Sequence, residues 1–403
     1  MTRSTMRYTP VLLAAVGLAT TLVAADAAWQ WSGPFGDKPG GKVVSMLIIG
    51  DVDIQLRADP TTAFAHIGET LKRADVVYAN LEGMLVKPEG PEKDIPDKRG
   101  WRHPGPEGVL ALNAWNVKVV GVANNVAYDR KNILETLKVL DANGIAHTGG
   151  GRNIAEAHKP AIVERKGVKI GFLQYTARWY QDSDQIATAT EPGVAKIASR
   201  DGITIDPADV DRVRADIRGL RPQVDILVVS HHNRDGATAT QFGAPPERAA
   251  SGGRRDNHIS EEYQKAFAHL AHDAGADFVY GHGTHTVQGV EVYNGKPILY
   301  AIGHSAFDQP GYENSKDGLV VRVVIDGKRI RRVSFVPVTR DAKNDVVMVD
   351  PSAGDGAALV KVIKDLSPGV PLKIEGHEVV LLDAPAQVSR RAGIRDSGFG
   401  IRD

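Results

Sequence analysis

The stretch "VKVVGVANNVAYDR", residues 117–130, decides how the chain is to be read. It begins as a valine-rich apolar run, the composition of a strand covered on both faces. It ends in two adjacent amides, Asn124 and Asn125, followed by Val126. Open α/β sheets bind ligands outside the carboxyl ends of their strands, so polar side chains at the end of an apolar run mark a candidate site. The reading gains weight if other strands end the same way.

They do. "KVVSMLIIGD" ends in Asp51, "DVVYANLEG" in Asn80 and Glu82, "VDILVVSHH" in histidines at 231 and 232, and "ADFVYGHGTH" in His282 and His285. Helical patterns separate these runs. They include "NILETLKVLDANG", stopped by Gly144, and "ISEEYQKAFAHLAHDAG", stopped by Gly275. "KPILYAIGH" and "GLVVRVVIDGKRIRRVSFVPV" read as closing strands. The alternation predicts one large α/β domain over residues 42–341. Residues 28–41 read as a Gly/Pro-rich linker, 342–385 as a small helical and β appendage, and 386–403 as a disordered tail.

Composition narrows the chemistry. The 403 residues carry 49 Lys plus Arg against 49 Asp plus Glu, a balance that points to neither nucleic acid nor an anionic membrane. There is no cysteine, so disulfides and thiolate metal sites are excluded. Any metal must be held by histidine, carboxylate or amide. At the N-terminus, Arg3 and Arg7 precede an apolar run from Val11 to Ala25, and Ala25-Asp26-Ala27 has the small-x-small form of a cleavage site. Residues 1–27 therefore read as a secretory signal peptide, with a retained membrane anchor as the alternative. Both place the body of the chain outside the cytoplasm, in the periplasm or beyond the cell.

Asp51, Glu82, Asn125, His231 and His282 each close a predicted strand. Singly, each has an ordinary explanation: a turn aspartate, a solvent-facing glutamate, an Asx-turn, an exposed histidine. Together their strand ends should converge, and carboxylate, amide and imidazole suit a divalent Mn, Fe or Zn ion. Without thiolates the set fits a catalytic site better than a structural one.

In chain order the motifs are "GDVDI", "ANLEG", "GVANNVAYDR", "HTGGGRNIAEAHKPAIVERKGVKIGFLQYT", "VDILVVSHHNRD" and "AGADFVYGHGTHTVQGVEVYNGKPILYAIGHSAFD". This order resembles the CapA family of poly-γ-glutamate capsule biosynthesis, whose domain is similar to calcineurin-like metallophosphoesterases. The match runs from about Lys42 to about Asp308. The resemblance implies a four-layer αββα sandwich of the metallophosphoesterase type. It implies metal ligands at Asp51, Glu82, Asn125, His231, His282 and His285, with His231, Asn124 and Asp235 nearest the chemistry. It further implies an exported metal-dependent hydrolase of a phosphoester or a γ-glutamyl amide. The substrate would be a polymer or a small molecule, poly-γ-glutamate among them, with membrane or capsule-synthesis proteins as associates. The alternative is a non-catalytic accessory or polymer-binding protein with a degenerate metal site. Several positions depart from the family pattern. Val126 stands where the family has a histidine, His232 and Asn233 replace a Trp-Gly pair, and His304 replaces an asparagine. Asp53 makes an Asp-x-Asp and is a candidate extra ligand. Asp129 is expected to brace the asparagine loop.

Overall fold

A computed structural model describes residues 41–89, 102–177, 185–199, 202–233, 260–309 and 316–383. The signal-peptide reading of 1–27, the tail reading of 386–403 and Asp235 lie outside these residues, as does all but residue 41 of the 28–41 linker. No helix among the described residues is long and apolar enough to cross a membrane.

Strands β1 (Val43–Asp53), β2 (Val76–Leu81), β3 (Val117–Gly121) and β4 (Ala146–Thr148) pair in parallel in one large sheet. A two-residue pair, β5 (Gly150–Gly151) with β8 (Gly193–Val194), stands apart. The second sheet holds β6 (Ala161–Arg165), β7 (Val168–Thr176), β9 (Ile226–His232) and β10 (Phe278–His282). It is completed by β11 (Val290–Tyr293) and β12 (Lys296–Leu299), in the order β11, β12, β10, β9, β7, β6. The chain then returns to the large sheet. β13 (His304–Phe307) lies parallel to β1 on one side, and β14 (Gly318–Asp326) and β15 (Arg329–Arg340) extend the sheet as antiparallel strands.

Three apolar clusters show how these sheets are stacked. Met46, Ile48, Tyr78, Phe172, Val228 and Phe278 meet between the two sheets. On the outer face of the large sheet, Ile49, Val77 and Val120 meet Leu71, Leu112 and Ile133. These last three belong to the helices Gly68–Arg73, Val109–Ala114 and Arg130–Ala142. On the outer face of the second sheet, Leu227 and Val229 pack with Ile217 and Phe267 of the helices Pro207–Leu220 and Glu262–Ala274. Helix, sheet, sheet, helix is the four-layer arrangement that the resemblance implied.

Local chemistry sets the helix ends. Asp206 caps Pro207–Leu220 by accepting from Ala208 N, and Pro207 occupies the first turn, where no N–H is needed. Glu261 and Gln264 form a reciprocal capping box, and Gly275 closes that helix at φ 126°. Asp129 likewise caps Arg130–Ala142, accepting from Lys131 N at 2.7 Å.

Of the 342–385 segment, the described residues 342–383 continue the main sheet. β16 (Val346–Met348) and β18 (Glu378–Asp383) both pair with β15, and β17 (Lys373–Glu375) pairs with β18. Between them, Leu359, Val360 and Ile363 of the helix Gly354–Asp365 enter the inter-sheet core.

Candidate metal centre

Side chains alternate across a strand, so parity decides which strand-end residues face the space between the sheets. On β2, Tyr78 faces inward while Val77, Ala79 and Leu81 face out, which sends Asn80 and Glu82 inward. On β10, Phe278 and Tyr280 face inward, and His282 follows them. β1 needs a correction to its count. Its pairing with β2 shifts register between Ile49 and Asp51, and Ile49 and Val52 both lie in the outer core. That bulge turns Asp51 inward.

The donors that meet there are all buried. Asp51, Glu82, Asn125, His232, His282 and His304 are 0% exposed, and His285 is 3% exposed. Two groups of metal-competent atoms lie within 4.8 Å of one another: Asp51 with His232 and His282, and Asp51 with His285 and His304. Asp51 belongs to both. His282 Nδ1 is 3.4 Å from Asp51 Oδ1 and 3.0 Å from His232 Nδ1. His232 Nε2 is 2.7 Å from Asn125 Oδ1 and 3.7 Å from Glu82 Oε1. His285 Nδ1 and His304 Nε2 approach to 2.6 Å. With bonds of about 2.0–2.2 Å, two donors on one cation sit roughly 3 Å apart, which is the spacing found here. The residues therefore fit a divalent cation, and the donor set leaves its identity open.

The surroundings fix the donors. Asp51 Oδ1 accepts from Asn80 Nδ2 at 2.8 Å, and Oδ2 accepts from Gly283 N at 3.0 Å. Burial still pushes the Asp51 carboxyl up to about 7, against the lowering effect of those bonds. Burial also drives His282 well below the ordinary histidine value. His304 stacks on Phe307 at 3.9 Å with planes 7° apart. His285 holds a left-handed backbone, φ 62°, a sparsely populated conformation of the kind that clusters at functional sites. At Gly283, φ is 87° and a Cβ would come within 2.6 Å of the His232 ring. Gly283→Ala is accordingly expected to lower stability by about 2–4 kcal/mol and to displace His232. Thermal melting and metal content of that variant check this.

Of the residues expected at the centre, His231 and Asn124 are used differently. His231 is not brought to it. On β9, Ile226 and Val228 face inward and Leu227 and Val229 face out, so His231 points to the helical layer. Its ring lies 4.6 Å from Phe267 and 6.4 Å from Tyr263, and neither ring nitrogen has a hydrogen-bond partner among the described residues. The inward histidine is His232, in register beside His282. Asn124 has a structural task. Its Oδ1 accepts from Val126 N and Ala127 N, both at 3.1 Å, and its Nδ2 donates to Leu81 O at 2.8 Å. The amide shapes the loop that carries Asn125 and is not available to a substrate. Asp235 lies outside the described residues. Asp53 is buried and accepts from Gln55 Nε2 at 3.2 Å, but it belongs to neither donor group. The sequence marks His304 as a departure from the family pattern and not as a ligand, and it does not single out Gln174. A polar side chain inside an apolar strand, as in "GFLQYT", is the signal that points to Gln174.

A family model described as bacterial capsule synthesis protein PGA_cap matches residues 38–309. The capsule biosynthesis protein CapA of Bacillus anthracis is 25% identical over 308 residues, covering 73% of this chain and 67% of that protein. A Mycobacterium tuberculosis protein named a probable polyglutamine synthesis accessory protein is 31% identical over 211 residues, covering 51% of this chain and 49% of that one. The match takes in about two thirds or less of the length of several such relatives. A solved phosphatase of Mycoplasma pneumoniae covers 79% of this chain and 99% of its own, at 12% identity and a TM-score of 0.44. That likeness is too loose to argue from.

Proposed function

The chain belongs to the bacterial capsule synthesis protein PGA_cap family, and on that premise we propose that it is a metal-dependent hydrolase of a phosphoester or γ-glutamyl amide in capsule-polymer handling. The observation that supports this is the burial of four imidazoles and a shared carboxylate in one cluster. Burying so many polar groups is costly unless a ligand uses them. Asp51, Glu82, Asn125, His232, His282, His285 and His304 would hold the cation. When bound, it would supply a Lewis acid for the oxygen of an ester or amide. The chain's own part is orientation: Asn80 and Gly283 fix the Asp51 carboxylate, and the Asn124 loop presents Asn125.

The test uses chelator-stripped protein reloaded with Mn²⁺. Poly-γ-glutamate chain length and release from a phosphodiester are both followed. Cation-dependent cleavage of either supports the reading. A metal-loaded protein inert on both points to the second reading, a polymer-binding accessory protein. That reading has one observation behind it: Val126, beside Asn125, is fully buried and has no proton to give. Export belongs to the same proposal. Intact mass of protein from its native host is expected to place the mature N-terminus at or near Ala28. A full-length, membrane-bound product would instead indicate a retained anchor.

A further inference from the structure

Three groups beneath the cluster have forced hydrogen-bond roles. A backbone N–H only donates, so the Ala123 end of this network is fixed. At one end, Asp51 Oδ1 accepts from Asn80 Nδ2 at 2.8 Å, which turns Asn80 Oδ1 toward Gln174 Nε2 at 2.9 Å. At the other, Ala123 N donates to Gln174 Oε1 at 2.8 Å. Turning the Gln174 amide over would set N–H against N–H at Ala123 and oxygen against oxygen at Asn80. The amide also lies over Gly121, where a Cβ would come within 2.2 Å of it.

Gln174 Nε2 is also 2.8 Å from His282 Nε2. Since that side of Gln174 can only donate, His282 Nε2 must offer a lone pair. A ring with a bare Nε2 is the neutral form, so its one proton sits on Nδ1. Nδ1 is the atom facing His232 and Asp51. It is also the nitrogen a cation needs, and a cation needs it bare. We propose that Gln174 is a positioning residue that holds His282 with its proton on Nδ1 and thereby weakens cation binding at His282. This rests on reading the cluster as a metal centre. Histidine ligands ordinarily donate their far N–H to a carboxylate or carbonyl. Here the far nitrogen meets a donor. A cation on Nδ1 moves the ring proton to Nε2, against the Gln174 amide, and Ala123 or Asn80 then loses its partner.

Two measurements on the full chain test this. The first is ¹⁵N-histidine NMR of chelator-stripped wild type, with the His282 signal identified by its loss in His282→Gln. A protonated Nδ1 and a bare Nε2 are expected; the reverse pattern overturns the proposal. The second is calorimetric titration with Mn²⁺ of wild type, Gln174→Glu and Gln174→Met. The glutamate supplies an acceptor, and the methionine removes the donor without adding charge. Both should bind more tightly than wild type, the glutamate variant by about 10–100-fold. Weaker binding by Gln174→Met overturns the proposal, because Gln174 would then be a mere support. If no Mn²⁺ binds wild type or variants, the metal reading has failed and the affinity claim falls with it. Failure of the inference alone looks different: wild type binds and neither variant improves. Should the variants misfold, the wild-type NMR result still decides.

Discussion

His232→Ala is expected to bind a divalent cation at least about 100-fold more weakly than wild type, while His231→Phe keeps wild-type affinity. The two residues are neighbours in sequence and face opposite layers. His232 Nδ1 meets His282, and its Nε2 meets Asn125. His231 lies against Phe267 and Tyr263, with no partner for either nitrogen among the described residues. Phenylalanine fits that apolar setting and removes two buried polar atoms, so His231→Phe should be as stable as wild type or more stable by roughly 1–3 kcal/mol. The variant also carries a pH signature. Burial pushes His231 down to about 3 from 6.5, so the unfolded ring takes up a proton that the folded ring refuses. Its contribution to stability is intact above about 6.5 and is lost as pH falls toward 3. Melting temperatures in chelator between pH 7 and 4 should therefore fall less steeply in His231→Phe. Cation titration of both variants settles the register. Loss of binding in His231→Phe with retention in His232→Ala would mean that β9 is turned the other way.

The reason this residue was misplaced from sequence is physical. Both faces of β9 are covered, by the other sheet on one side and by helices on the other, so Ile226, Leu227, Val228 and Val229 are all apolar. The period of two that would show which histidine faces inward is absent from such a strand. The decisive fact is the parallel register that sets His232 beside His282, and register is a tertiary property. The α/β class was legible because apolar runs alternate with helical patterns; the four layers were implied by the family resemblance alone. The site was legible as a place, since strand ends converge. Its membership was harder to read. His304 joins because β13 lies beside β1 with His304 opposite Asp51, and nothing local announces that pairing. Asn124 could be read either as an Asx-turn or as a site residue, and its two bonds to backbone N–H groups decide for the turn. Residues 342–385 gave a weak pattern because β16 and β17 are only three residues long, although β18 extends the main sheet beside β15.

Asp51→Asn is expected to abolish cation binding altogether, where loss of His232 or of His304 removes a donor from only one of the two groups. Asp51 is the one residue common to both. The amide that replaces it has a single acceptor oxygen and no charge. The result can be separated from simple unfolding, because two opposing effects act on the cation-free protein. Burial raises the Asp51 carboxyl to about 7, so its charge is held at a cost once the pH exceeds that value. Relative to 3.8 in the unfolded chain, that shift corresponds to about 4 kcal/mol, as an order of magnitude. The sign follows from the direction of the shift. The stabilising contribution is present below about 3.8 and is lost as pH rises through about 7. The substitution removes this loss. Against that, Asn80 Nδ2 and Gly283 N both donate to Asp51, and an asparagine must set its own NH₂ against one of them. Such a donor left unmatched costs about 1–3 kcal/mol. Near neutral pH the two effects largely cancel, so the cation-free variant should melt within a few degrees of cation-free wild type. Added Mn²⁺ should then raise the melting temperature of wild type and leave Asp51→Asn unmoved. If Mn²⁺ stabilises both to the same extent, the cation binds elsewhere, and the shared carboxylate is a buried hydrogen-bond acceptor and nothing more.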